Sequence, residues 1–310
     1  MLSQDKILKD GKLHIFLLGT GGPMGNNLRV SPSIAVIAEE EFILFDVGSG
    51  SVRNAQILRL PLANLSAIFL THFHSDHIGD LGEGNMISWA MGRVKAIEIY
   101  GPKGVEKVVN GFIMAYELDT GYRIAHHGRD VIIPEAGTPI IKTIELQDPN
   151  EKKLVFDKNE LKVYAFEVDH SPIKPAYGYR IEHKGNIVVI TGDTIKTANL
   201  VKHSQNADIL FSEAISFDML NNLVEGAKRL ELDRFAKMLI DVQDYHMEPK
   251  EAAELAKEAA VKKLVIVHIV PPLPNEPIEK NYLKGMEDIY EGEIIMGRDL
   301  MKFRLNPKEG

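Results

Sequence analysis

The chain has 310 residues, 45% of them apolar, and a formal net charge of −8 at pH 7. These values indicate a globular protein with a sizeable core, expected as one domain over residues 1–310, and the negative charge argues against a general nucleic-acid surface. Cysteine is absent, which excludes disulfides, thiolate metal ligands and thiol catalysis.

The amino-terminal part of the chain predicts three buried strands and no targeting segment. No stretch approaches the roughly 20 apolar residues that span a bilayer, and there is no signal-peptide core, so we expect a cytoplasmic protein without a membrane segment. The strands are predicted at 12–18, 33–38 and 42–45. The glycines of 19–22 indicate a tight turn rather than a dinucleotide-binding loop, because the third glycine position of that motif is Met24. Asp46 follows the third strand and is expected to orient an imidazole.

A fourth short strand, at 67–70, leads into a dense group of metal-ligand side chains. The group contains His72, His74, Asp76 and His77 within six positions. Imidazole suits zinc and similar divalent ions. In an extended segment His72 and His74 point to the same side, and the two later residues turn to a second direction. One loop is therefore predicted to supply ligands to two adjacent ions, which we favour over a solvated polar loop.

The middle of the chain predicts a helix over 105–116 and then becomes difficult to assign. Residues 119–160 are expected to form an insertion over the core, within a cap that covers about 85–160. A polar-rich stretch there has two interpretations. Its side chains either close over a pocket or belong to an ordinary solvated helix end. Its members are Tyr116, Asp119, Arg123, His126 and His127.

The second half of the chain predicts further strands, each followed by one ligand-type residue. His170 follows a strand at 161–168, Asp193 follows one at 187–191, and His268 follows one at 264–267. Alone, each would be an ordinary polar residue at a strand end. Because strand ends gather at one edge of an α/β sheet, we expect all three to meet the histidine-rich loop, with Asp193 as a bridge between two ions.

Other elements of this half are a hairpin turn at 184–186, a short strand at 209–211 and a helical region over 227–239. An alanine-rich helix is predicted at 251–262, with Pro249 in its first turn.

The pattern Thr71-His72-x-His74-x-Asp76-His77 resembles the signature of the metallo-β-lactamase superfamily, and supporting motifs extend from Gly19 to His268. The resemblance implies an α/β fold, the four-layer αββα sandwich, with two divalent ions at one edge. Zinc is the first candidate, and manganese, iron and cobalt stay open. The implied ligands are His72, His74 and His170 for one ion, Asp76, His77 and His268 for the other, and Asp193 for both.

Within the superfamily, the segments 18–21, 46–48 and 177–180 resemble the branch that contains ribonuclease Z and the arylsulfatase-like enzymes. His246 resembles a histidine that this branch carries ahead of a similar helix, and Glu213 lies in a segment like the branch's His-Glu-Ala, with serine in place of histidine. The expected mechanism is attack by a hydroxide shared between the ions, with Asp76 orienting it. His246, supported by Glu213, is expected to protonate or stabilise the leaving oxygen.

The resemblance leaves the substrate open. Positions 170 and 193 are only 23 residues apart, which leaves no room for the tRNA-gripping arm usual in ribonuclease Z. With the negative charge, this spacing favours a small-molecule ester substrate, as in an arylsulfatase or phosphodiesterase that also accepts lactones or phosphoesters. The alternative is a ribonuclease Z-like enzyme of tRNA 3′ processing. A redox di-iron enzyme and a non-catalytic metal-binding module are disfavoured, and the resemblance suggests a homodimer.

Overall fold

Two seven-stranded sheets pack face to face in the computed structural model, which describes residues 4–308. The strands of the first sheet are β1 (Leu13–Gly19), β2 (Ser33–Ala38), β3 (Glu41–Phe45), β4 (Leu65–Phe69), β5 (Glu98–Gly101), β6 (Ile140–Thr143) and β14 (Lys302–Leu305). Those of the second sheet are β7 (Lys153–Lys158), β8 (Leu161–His170), β9 (Ile173–His183), β10 (Asn186–Ile190), β11 (Ile209–Ile215), β12 (Lys263–Val270) and β13 (Glu293–Met296).

Helices lie on the outer faces of the two sheets. Between strands of the first sheet the chain forms α2 (Ser51–Ile57), α3 (Ser75–Ile78), α4 (Leu81–Ala90), α5 (Val105–Ala115), α6 (Glu117–His127) and α7 (Pro134–Gly137), after α1 (Gln4–Lys9). The later helices are α8 (Ala198–Ser204), α9 (Phe217–Arg229), α10 (Asp233–Asp241), α11 (Pro249–Glu258) and α12 (Glu276–Tyr282). Short 3-10 helices cover Leu62–Asn64 and Val242–Tyr245.

Each sheet is part antiparallel and part parallel. The strand order is β14-β1-β2-β3-β4-β5-β6 in the first sheet and β13-β12-β11-β10-β9-β8-β7 in the second. Strands β3 to β6 run parallel, as do β10 to β13. With helices outside both sheets, this architecture confirms the predicted αββα metallo-β-lactamase fold. The parallel portions also place the ends of β4, β10 and β12 close together.

The core between the sheets explains why the strands are continuously apolar. Phe45 and Phe69 of the first sheet pack against Tyr179 of the second, with ring centroids 5.2 and 5.6 Å from that of the tyrosine. Strands β1, β2, β11 and almost all of β12 are buried on both faces, because helices cover their outer sides. Two further apolar clusters fill the space between each sheet and its helices.

Most predicted elements are confirmed, and the differences have local causes. The predicted strand at 33–38 and the hairpin turn after 183 are confirmed, the latter with positive φ at Lys184 and Gly185. The helical region predicted at 227–239 consists of two helices, α9 and α10, because the chain breaks between them at Glu231, whose φ is 55°. The alanine-rich helix has Pro249 in its first turn, as predicted, but it starts two residues before the predicted 251 and ends at Glu258, four residues early.

The segment 119–160 contains two edge strands as well as helices. Strand β6 borders the first sheet and β7 borders the second. Their residues are mostly exposed or half-buried, so their apolar periodicity is weak. A capping role for this part of the chain stays a prediction. Among the residues described, no helix combines the length and apolarity needed to cross a bilayer.

Candidate metal centre

The loop that follows β4 brings its first two histidines together with one from the second sheet. Nε2 of His72 lies 2.9 Å from Nδ1 of His74, and Nε2 of His170 lies 3.4 Å from the same atom. With Asp193, these side chains form a group whose ligand atoms all lie within 4.8 Å of one another. This arrangement matches the set implied for the first ion.

A second group forms beside it from the remaining residues of the loop and the end of β12. Oδ2 of Asp76 lies 3.6 Å from Nε2 of His77 and 3.4 Å from Nε2 of His268. The side chains of His77 and His268 are buried, and that of Asp76 is only 9% exposed. These are the residues implied for the second ion.

Asp193 stands between the two groups. Its Oδ2 lies 3.7 and 3.9 Å from Nε2 of His72 and His170, and 3.2 and 3.3 Å from Nε2 of His77 and His268. One carboxylate oxygen is therefore within reach of imidazoles from both groups. All seven sequence-predicted ligand candidates meet at one edge of the sandwich.

Local backbone irregularities turn the second-sheet residues toward this edge. In β12 the pairing with β11 shifts between Val267 and Ile269, so His268 is an extra residue in the strand, and its φ is 47°. A similar shift in β8 occurs just before His170. Gly192 has φ 62°, and a Cβ there would lie 2.8 Å from the carbonyl oxygen of Tyr177, so only glycine fits before Asp193.

The donor set fits divalent cations. Several of its atoms are buried and have no hydrogen-bond partner among the described residues: Oδ2 of Asp76, Nε2 of His77, Oδ1 of Asp193 and both ring nitrogens of His268. Leaving such atoms unpaired is costly. Because imidazole nitrogens and carboxylate oxygens are ordinary ligands of zinc and its neighbours, bound cations would satisfy these atoms.

Other groups hold the imidazoles in position from behind. Oδ2 of Asp46 lies 2.8 Å from Nδ1 of His77, and its two oxygens also accept hydrogen bonds from the backbone and hydroxyl of Thr71, each at 2.8 Å. The contact between Asp46 and His77 therefore supports the expected role of Asp46 in orienting an imidazole. Nδ1 of His170 lies 3.0 Å from the carbonyl oxygen of Tyr245. Both contacts leave Nε2 of the imidazole facing the centre.

Burial and the central carboxylate divide the histidines into two kinds. Burial lowers the pKa of His72 well below its usual value and that of His170 to about 4. Burial opposes protonation of His77 and His268 as well, but Asp193 outweighs it, raising the pKa of His77 strongly and that of His268 to about 9. Burial opposes ionisation of Asp193, yet these imidazoles hold its pKa well below its ordinary value. A buried ionised carboxylate thus attracts cations.

His246 and Glu213 form a buried pair beside the centre. Oε1 of Glu213 lies 2.9 Å from Nδ1 of His246 and accepts hydrogen bonds from the backbone N–H groups of Thr194 and Met247 at 3.1 and 3.2 Å. The glutamate thereby ties the His246 loop to the loop that carries Asp193. A ligand atom of His246 also lies within 4.8 Å of those of Asp193 and His268, which places its ring at the margin of the centre.

Two residues that border the centre were not predicted to contribute to it, and the capping role considered for the stretch 116–127 stays a prediction. The Tyr245 ring packs 4.9 Å from that of His170, and a Cβ on Gly22 would lie 3.2 Å from Cε1 of His268. In the sequence, the only signal for Tyr245 is its position next to His246, and the only signal for Gly22 is its place in the glycine-rich turn. Within the described chain, the stretch 116–127 joins none of the metal-binding groups. His126 and His127 are exposed on α6, and Asp119 pairs with Arg123.

The fold and its edge of histidine and aspartate side chains define a metal-dependent hydrolase of the metallo-β-lactamase type. The profile of the Beta-lactamase superfamily domain matches residues 42–269. Ribonuclease Z of Mycolicibacterium gilvum (strain PYR-GCK) is 32% identical over 299 residues, 95% of this chain and 97% of the relative. Ribonuclease Z of Mycobacterium bovis (strain BCG / Pasteur 1173P2) is 33% identical over 300 residues, covering 96% and 99%.

Solved structures agree on the fold. Human tRNase Z, short form, has a TM-score of 0.66 at 24% identity and covers 94% of this chain and 98% of its own. The metallo-β-lactamase fold protein YhfI from Bacillus subtilis has a TM-score of 0.67 at 19% identity, covering 95% and 99%. The chain belongs to the β-lactamase superfamily, with ribonuclease Z proteins among its relatives.

The relatives correct one expectation about the substrate. The short spacing between His170 and Asp193 leaves no room for an inserted arm, and this was the main reason to expect a substrate other than RNA. The two ribonuclease Z relatives match this chain over nearly their whole length, so the short spacing does not separate this chain from them. The preference for sulfate esters or lactones over RNA loses its main support.

Proposed function

We propose that this chain is a ribonuclease Z-like phosphodiesterase that cleaves the 3′ trailer from precursor tRNA. The observation that carries the proposal is the 32–33% identity to ribonuclease Z proteins over nearly the whole of both chains. Convergence of all seven ligand candidates supports it, because phosphodiester hydrolysis suits a site that holds two cations.

In this proposal His72, His74 and His170 would hold one divalent ion, Asp76, His77 and His268 would hold the other, and Asp193 would contribute its carboxylate to the same site. Zinc is the first candidate for the ions. Bound ions would supply Lewis-acid stabilisation of the phosphoryl oxygens and an acidified water as nucleophile. Asp46 and the carbonyl of Tyr245 fix the imidazoles, so little reorganisation is needed when substrate binds.

His246 is proposed to hold the proton that the leaving oxygen requires. Its Nδ1 is held by Glu213, so Nε2 is available on the side of the ligand groups. Glu213 is itself anchored by two backbone N–H groups, which keeps the imidazole from rotating away. Such positioned proton transfer typically contributes about 10²–10⁴-fold to a rate.

The decisive experiment compares three substrate classes on protein of measured metal content. A precursor tRNA with a 3′ trailer, bis-p-nitrophenyl phosphate and p-nitrophenyl sulfate are assayed in parallel. We expect cleavage of the RNA at one position near the end of the acceptor stem, a rate that falls steeply with salt, and weak activity on the sulfate.

The Asp193→Ala variant serves as the negative control, because it removes the shared carboxylate. Efficient hydrolysis of the sulfate ester, with the precursor tRNA left intact, would overturn the proposal in favour of the arylsulfatase-like alternative. Cleavage that is equal in wild type and variant would point to a contaminating nuclease.

A further inference from the structure

A pocket of about 600 Å³ lies on the outer face of the first sheet. Its floor is the outer side of β1 and β14, and its walls come from α1 and the segment that follows α2, residues 58–61. None of the metal-centre residues lines it. The pocket borders the first half of β1, whereas the metal centre adjoins the turn that follows this strand.

The charge of the pocket is opposite to that of the protein. Arg59, Lys302 and Arg304 line it, and none of the described lining residues is a carboxylate, although the whole chain has a net charge of −8. Lys302 and Arg304 are exposed, and the three cations have no aspartate or glutamate partner within 4.0 Å among the described residues. Three unneutralised positive charges in a concave site favour an anion.

Strand pairing fixes two of the cations over the floor. Phe16 lies directly opposite Lys302, and His14 directly opposite Arg304. Nζ of Lys302 lies 5.9 Å from the centre of the Phe16 ring. His14 is buried, with Nε2 held 2.9 Å from Oδ1 of Asp10. The floor is therefore ordered before any ligand arrives.

The remaining walls are apolar, contributed mainly by Ile7, Leu58, Leu60 and Pro61. An anion that fits must carry an apolar or aromatic body as well as its charge. The volume lies within the range of about 300–1,000 Å³ of small-molecule sites.

We propose that this pocket binds a phosphomonoester attached to a nucleoside, distinct from the substrate at the metal centre. Guanidinium groups match phosphate oxygens in a bidentate geometry. A phosphomonoester carries close to two negative charges, so it neutralises three cations better than a ligand with a single carboxylate would. The apolar wall takes the base. A free nucleotide and the 5′-phosphorylated end of an RNA share this chemistry.

Calorimetric titration of the metal-loaded protein with AMP, adenosine and inorganic phosphate tests the proposal. We expect AMP to bind at least tenfold more tightly than either fragment. Lys302→Gln/Arg304→Gln should weaken AMP binding at least tenfold without changing the thermal unfolding midpoint, because both side chains are exposed. The matched control is Lys142→Gln/Arg229→Gln, which removes the same two charges from exposed positions outside the pocket.

Asp193→Asn distinguishes this pocket from the metal centre. AMP binding that persists in Asp193→Asn and weakens in the pocket variant supports the proposal, and the reverse pattern overturns it. Equal affinity for AMP and adenosine, or no AMP binding at millimolar concentration, also overturns it. A 5′-phosphorylated oligonucleotide then separates the two sources, because competition with AMP identifies an RNA end as a ligand, and its failure to compete identifies the free nucleotide.

Discussion

The two sheets contribute to the metal centre in different ways. The first sheet supplies four ligand candidates from a single loop, residues 72–77, whereas the second supplies three from the ends of three separate strands. The loop needs only a short stretch of backbone to hold its side chains together. His170, Asp193 and His268 meet only because β8, β10 and β12 are placed by sheet pairing and then bent locally. The centre thus combines ligand candidates that are neighbours in the sequence with ligand candidates that only the pairing of the strands brings together.

This contrast places Asp193 in the most demanding position, because it comes from the second sheet and contacts both groups. Asp193→Ala is expected to reduce turnover by at least about 10³-fold, equivalent to ~4 kcal/mol of activation free energy, with loss of bound metal. Steady-state kinetics and elemental analysis measure the two effects. Asp169→Ala, beside His170 and outside both groups, is the control. Full turnover with two metal ions bound would contradict the bridging role.

A second test asks whether the pair His246 and Glu213 acts on the leaving group. His246→Ala should slow phosphodiesters with poor leaving groups by about 10²-fold or more, and activated nitrophenyl esters much less, because only the former need a proton on the departing oxygen. The measurement is the dependence of kcat on leaving-group pKa. His203→Ala removes another buried histidine, on α8, and should leave that dependence unchanged. An equal loss on both substrate types would argue against the proposed proton transfer.

A third test asks whether Asp46, which contacts His77 from behind the metal centre, helps the loop 72–77 to bind metal. Asp46→Asn should weaken metal affinity by about 10–100-fold, because the charge that orients His77 is removed. Competition with a chromophoric chelator measures this affinity. Asp208→Asn changes another buried aspartate, which is bound to Lys262 and Lys308 instead, and should not alter it. Unchanged affinity in Asp46→Asn would mean that the loop backbone alone positions the imidazole.

The smallest effect concerns a hydrogen bond that joins the two sheets. The hydroxyl of Tyr179, on β9, donates to the carbonyl of Leu70 at 2.6 Å, two residues before the loop begins at His72. Tyr179→Phe should lower the free energy of unfolding by about 1–2 kcal/mol and measurably weaken metal binding. Tyr290→Phe loses a similar buried bond, to the carbonyl of Val261, and should lower stability alone. Equal metal affinity in both variants would show that the loop is independent of the second sheet.

Several features of the fold were predictable because their signals are local. The strands at 33–38 and 42–45 are continuous apolar runs, and the turn at Lys184 and Gly185 follows from ordinary hairpin chemistry. The edge strands β6 and β7 were not predictable, since exposed short strands have little apolar periodicity. The break between α9 and α10 was missed because apolar spacing continues across Glu231.

By itself, the sequence determined the chemistry of the centre, since imidazoles and carboxylates packed between 72 and 77 behind a buried strand have few other uses. It also determined which strand-end residues were available to join them. Only the tertiary structure decided that His268 enters the site from a bulge at positive φ, that Tyr245 supports His170 through its carbonyl, and that basic side chains gather over β1 and β14. The reason is physical: side-chain type is local information, whereas the direction of a side chain depends on strand pairings between residues far apart in the chain.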